Sequence, residues 1–237
     1  MKTKSLFTFF IASFMLLAAH NSYAQSEIRN VPVFSEISLR VSGTLHLKQG
    51  DTQKVEIEAS QSTLDELITE VSGRTLVIRF RTSNLFSRNF RPGKVDIYVT
   101  VPEVNALGIS GSGDIIAQTP ISSRIIDLTV SGSGNINIAD LNSEKVKANI
   151  SGSGDIVLGG GKIAQEFEGT ISGSGNIKAA GYEAKRVDIK IMGSGNCSIH
   201  TNGDLYARIA GSGNVYYGGN PNLDTSIAGS GKVTNRN

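Results

Sequence analysis

The stretch Ile150–Gly160, ISGSGDIVLGG, decides how this chain is read. Taken alone, a glycine–serine string suggests a flexible linker or a loop wrapped around a phosphate. Variants of it stand seven times in the chain, each following a β-branched residue. Anchored on the second glycine of each GSG, the copies fall at Gly113, Gly134, Gly154, Gly175, Gly195, Gly213 and Gly231, in steps of 21, 20, 21, 20, 18 and 18 residues. A fixed period near twenty is the signature of a solenoid.

The columns are tighter than the period. Four residues before the anchor stand Ile109, Val130, Ile150, Ile171, Ile191, Ile209 and Ile227; two residues after it stand Ile115, Ile136, Ile156, Ile177, Cys197, Val215 and Val233. The flanks also alternate, as in Ile126-Asp127-Leu128-Thr129-Val130 and Asn135-Ile136-Asn137-Ile138. Period-two alternation with β-branched residues reads as half-buried strand. Each unit is therefore strand, GSG corner, strand and a variable polar loop such as Asp140–Lys145.

A unit this short cannot bury its apolar face alone, so neighbouring copies must stack. Stacked in register at about 4.8 Å, they form ladders with Ile and Val inside and Ser and Asx outside. The expected fold is all-β, a single-stranded parallel β-helix of 18–21 residues per repeat. Chain chirality favours a right-handed coil, while the 18-residue coils also suit a left-handed prism.

This gives the corner glycines a mechanical role. They are Gly111 and Gly113, Gly132 and Gly134, Gly152 and Gly154, Gly173 and Gly175, Gly193 and Gly195, Gly211 and Gly213, and Gly229 and Gly231. Glycine reaches backbone angles closed to residues with a Cβ, and it lets successive corners approach closely. The position after each anchor (Asp114, Asn135, Asp155, Asn176, Asn196, Asn214, then Lys232) suits side chains that bond nearby backbone at a turn.

Repeated (I/V)SGSG(D/N)(I/V), behind a strand-rich leader ending in Val101-Pro102-Glu103-Val104, resembles the head GIN domain of auto-transporter adhesins across roughly residues 31–235. The resemblance implies a β-helical, secreted or envelope protein of Bacteroidetes-like bacteria and a binding role. It brings no catalytic residues with it. No long alternating barrel segments follow the repeats, so self-transport is not expected of this chain.

The opening MKTKSLFTFFIASFMLLAAHNSYAQS has Lys2 and Lys4, an apolar run from Leu6 to Ala19, and Ser22-Tyr23-Ala24. It reads as a signal peptide over residues 1–24, cut before Gln25. Removing Lys2 and Lys4 from 23 cations leaves 21, against 21 acids. That balance offers nothing to nucleic acid or an anionic membrane. No later segment is long enough for a membrane-spanning helix, and the single cysteine, Cys197, cannot form an internal disulfide. Residues 25–105 read as irregular early coils, with Ile37–Gly43 and Val71–Gly73 as worn copies of the unit, or as an antiparallel cap. Residues 106–237 read as the regular solenoid. Ser62–Ile68 carries a capping-box pattern and is expected to add a turn or two of helix.

Most chemical motifs fail on inspection. Asp114 and Asp155 lie two coils apart, about 9.6 Å by strand spacing, too far to share a calcium ion. Gly229-Ser230-Gly231-Lys232 lacks the earlier glycine and the hydroxyl of a phosphate loop. His46 and His200 have no Cys or His at ligand spacing, and Cys197 fills a core column. No cofactor is expected. The least bland segment is Leu85–Lys94, in which Phe86, Arg88, Phe90 and Arg91 form a candidate ligand-contact loop or fold back as packing. Tyr216 and Tyr217 pose the same choice. The C-terminal end reads as an exposed edge, either blunted by Lys232 and Arg236 or used for self-association. The sequence thus points to a non-enzymatic adhesin-like module for a surface glycan or protein. Its alternatives are a periplasmic structural or signalling-associated protein and a polysaccharide-active enzyme.

Overall fold

The computed structural model describes residues 25–81 and 92–236. In it the alternating stretches are strands: Ile126, Leu128 and Val130 are buried while Asp127 and Thr129 face outward. The strands coil into a parallel β-solenoid of about six turns. One face carries the strands that lead into the corners: Ala106–Gly111, Ile121–Gly132, Leu141–Gly152, Ala164–Gly173, the end of Asn176–Gly193, Asp204–Gly211 and Asn222–Gly229. Neighbours on it are parallel and in register, with Ile109, Val130, Ile150, Ile171, Ile191, Ile209 and Ile227 forming one ladder. The other face carries the strands that leave the corners, where Ile115, Ile136, Ile156, Ile177, Cys197, Val215 and Val233 form the second ladder. Between the faces lies one continuous apolar core.

The two glycines of a corner differ in backbone, while from Gly132 onward both lie against the corner below. The first of each pair has φ between +123° and +135°, a region L side chains avoid. The second has no such φ and is held to glycine by close approach alone: a Cβ on Gly134 would overlap the Gly113 carbonyl and sit 2.7 Å from Ile109 Cγ2. Outside the corner, Asx side chains bond the next coil rather than their own turn. Asp114 Oδ1 accepts from the Asn135 backbone N–H at 3.0 Å and its Nδ2 at 2.8 Å, and Asp155 Oδ1 accepts in the same way from Asn176.

The N-terminal region does not follow chain order. Glu36–Arg40 and Thr44–Gln49 stack directly on Ala106–Gly111 and Asp114–Ala117 as one coil in register. Thr75–Phe80 and Asp96–Val101 then lie on the far side of that coil, also parallel, although they follow it in sequence. The outermost layer is antiparallel: Leu67–Ser72 on Thr75–Phe80, Lys54–Ala59 on Asp96–Val101, and Gln25–Ile28 on Lys54–Ala59. Val71–Gly73, expected as a worn corner, instead enters the hairpin turn at Gly73, which has φ +63°. The helix expected near Ser62 is a single turn, Gln61–Leu64, and the Ser60 side chain makes no cap bond to it. From Leu67 onward the pull of strand pairing with Thr75–Phe80 wins over the capping pattern.

Candidate functional site: a lateral polar groove

Near their starts, the ingoing strands Ile121–Gly132 and Leu141–Gly152 each carry a bend. Ser123 and Ser143 occupy the same place in successive coils and pair with each other in register. Ser123 Oγ donates to the Ile125 carbonyl at 2.8 Å, and Ser143 Oγ donates to the Lys145 carbonyl at 2.9 Å. Each hydroxyl thus closes a local turn around the residue it precedes by one, a known alternative to ladder pairing. The residues enclosed are Arg124 and Glu144, which drop out of the register and stand exposed. Asn142 continues the row: its Oδ1 accepts from the Lys162 N–H at 3.0 Å.

Stacking these bends leaves a depression of about 570 Å³ lined by Ser122, Arg124, Asn142, Glu144, Lys162 and Gln165 among others. A second depression of about 560 Å³ runs on from it through Ser122, Ser123 and Arg124 to Glu103, Asn105 and Asp127. Gln49 lines the second depression and is tied to Ser122, which both depressions share. Its Oε1 accepts from the Ser122 N–H at 2.7 Å, while its Nε2 donates to the Ser122 and Pro102 carbonyls at 3.0 Å each. A side chain thereby supplies the bonds a missing strand would have made.

The electrostatics of the groove are mixed. Arg124, Glu144, Lys162 and Asp127 form no ion pair among the described residues. Charges beside the groove are engaged instead. Lys145 Nζ sits 2.8 Å from Glu166 and 2.6 Å from Glu168. Their hydrogen bonds push the ammonium up to about 12 and hold Glu168 below the usual carboxylate range. Groove and flank together present donors, acceptors and both signs of charge to one extended surface.

The residues singled out by sequence are scattered. Phe86, Arg88, Phe90 and Arg91 lie outside the described residues, as does the segment 1–24. Cys197 is fully buried and desolvation pushes its thiol up to about 12, so it presents no thiolate. His46 stacks on Tyr98 with ring centroids 4.9 Å apart, and its Nε2 lies 3.6 Å from Asp96. Tyr216 carries the Arg236 guanidinium 3.6 Å above its ring, and Tyr217 is partly packed on the core. Among the described residues no group of three or more His, Cys, Asp and Glu side chains is placed to hold a metal ion. No motif marks the groove, because its residues come from several separate segments: the variable loop Asp140–Lys145, the leader at Glu103 and the start of the strand Ile121–Gly132. The repeated serine at 123 and 143 was its only signal.

Fold and site define a parallel β-solenoid with a polar groove along its side. The chain belongs to the family described as "putative auto-transporter adhesin, head GIN domain", which matches residues 33–221. It is similar to the crystal structure of a putative adhesin from Bacteroides fragilis, at 25% identity and a TM-score of 0.83 over 90% of this chain and 97% of that one. It is also similar to a putative lipid binding protein from Parabacteroides distasonis, at 25% identity and 0.77 over 92% and 98%. A putative adhesin from Parabacteroides merdae, at 21% identity and 0.70 over 92% and 98%, shares the fold. No curated protein matches the chain. Among the described residues no helix is long and apolar enough to cross a membrane.

Proposed function

We propose that this protein is an exported, non-catalytic binding module that holds a neutral polar polymer, a glycan chain, along the lateral groove. Export is the reading of residues 1–24, and adhesin-like binding is the role its family name suggests. The observation that carries the ligand class is the groove itself. Two depressions joined at Arg124 offer serine hydroxyls, amides and unpaired charges of both signs. Such a surface matches the closely spaced hydroxyls of a carbohydrate and favours no ligand of single charge. Rigid placement of the polar groups on stacked coils lowers the ordering cost of binding.

Glycan-array screening followed by calorimetry tests the reading. Arg124→Ala is expected to weaken a bound oligosaccharide roughly tenfold, the equivalent of about 1.4 kcal/mol, with Glu144→Ala acting in the same direction. Phe86→Ala with Phe90→Ala measures any added contact from the segment 82–91. Binding that survives both groove substitutions refutes the groove as the site. Release of new reducing ends during incubation would replace binding with hydrolysis.

A further inference from the structure

The two ends of the solenoid are built differently. At the N-terminal end the antiparallel layer closes the core, and Phe34, Leu64, Leu67 and Phe80 are all buried. At the other end the strand Asn222–Gly229 is exposed along its whole length and pairs on one side only, with Asp204–Gly211. Its inner-column residues Leu223 and Ile227 are 43% and 42% exposed, whereas their equivalents one coil earlier, Leu205 and Ile209, are 0% and 2% exposed. This end therefore presents an unpaired strand edge together with the open mouth of an apolar ladder, a template for another strand.

We propose that this end is covered by the same end of a second copy of this chain, through antiparallel pairing of Asn222–Gly229 about a two-fold axis at Thr225. The closed N-terminal layer offers no matching open ladder, so like ends meet and the assembly stops at two. Antiparallel pairing keeps every side chain on its own face. With Thr225 on the axis, Leu223 meets the partner's Ile227, and Ile227 meets the partner's Leu223, so the apolar column runs unbroken from one copy into the other. Asp224 is the only charged residue of the strand, and here it faces the partner's Ser226. The neighbouring registers lose both features. An axis at Asp224 sets two carboxylates against each other, which is destabilising, and an axis at Ser226 sets Leu223 against glycine. The contact is isologous and closed, the commonest arrangement of paired chains.

Sedimentation velocity of the purified protein over a concentration series tests this, together with cysteine cross-linking. The expected result is a species of twice the chain mass, converted by Ile227→Lys to a single-chain species with unchanged circular dichroism. Thr225→Cys should form a disulfide-linked pair on mild oxidation, because the residue opposes itself across the axis. Ser226→Cys should not, because it opposes Asp224. Buried Cys197 stays out of the reaction. The cross-linking comparison decides the matter even if Ile227→Lys disturbs the last coil. A single-chain mass at every concentration, a mass that grows beyond two chains, or equal cross-linking at 225 and 226 would each overturn the proposal.

Discussion

An added methyl meets different obstacles at Gly111 and at Gly134. Gly111 has φ +123° with nothing within 4 Å of a built Cβ, whereas Gly134 is hemmed by the Gly113 backbone and Ile109. Gly111→Ala is therefore expected to cost only the conformational strain, about 1–3 kcal/mol. Gly134→Ala must move the ladder itself and is expected to cost more than that in urea denaturation. Equal losses would contradict this difference between an open corner and an inner one stacked on its neighbour. At Asp155, burial pushes the carboxyl up, but the bonds from Lys178 and Asn176 outweigh it and hold it below its ordinary range. A depressed native value means Asp155 stabilises the fold above the unfolded value near 3.9, and that contribution fades as pH falls toward the native value. Asp155→Asn restores an amide to the ladder and is expected to flatten the stability profile below about pH 4. A profile of unchanged slope would show that the carboxylate bears no part of it.

At the scale of the element, the unit that matters is a strand pair across two coils. Ile150 is 2% exposed between Val130 and Ile171. Ile150→Asp puts an unpaired charge in the ladder and is expected to abolish cooperative thermal unfolding. Ser143 and Ser153 make a useful contrast, since Ser143 Oγ closes a buried bend and Ser153 is exposed at a corner. Ser143→Ala should lose about 1 kcal/mol and Ser153→Ala almost nothing; a reversed order in chemical denaturation would remove the account of the bend. The same contrast explains what could be read beforehand. Corners recur as GSG because backbone meets backbone there in every coil, leaving one acceptable residue. The residues the bends expose are unlike one another, Arg124 in one coil and Glu144 in the next, so the groove left only a faint trace in the sequence.

For the whole molecule, stability is close to a sum of coils and their contacts, so protection should fall toward the open end. In the single-chain Ile227→Lys protein, hydrogen exchange is expected to be fastest along Asn222–Gly229 and slowest in Leu141–Gly152, which is flanked on both sides. Uniform protection in that variant would contradict the picture of stability as a sum of coils. The solenoid, its period and its inward columns were determined by the sequence alone, because a ladder demands the same residue at the same place in every turn. Tertiary structure alone decided that Thr75–Phe80 and Asp96–Val101 lie outside an earlier coil, that antiparallel strands close one end, and that the bends align into a groove. Those outcomes rest on pairings between segments far apart in the chain and unlike in sequence, and no local period records which strand edge a distant segment will find.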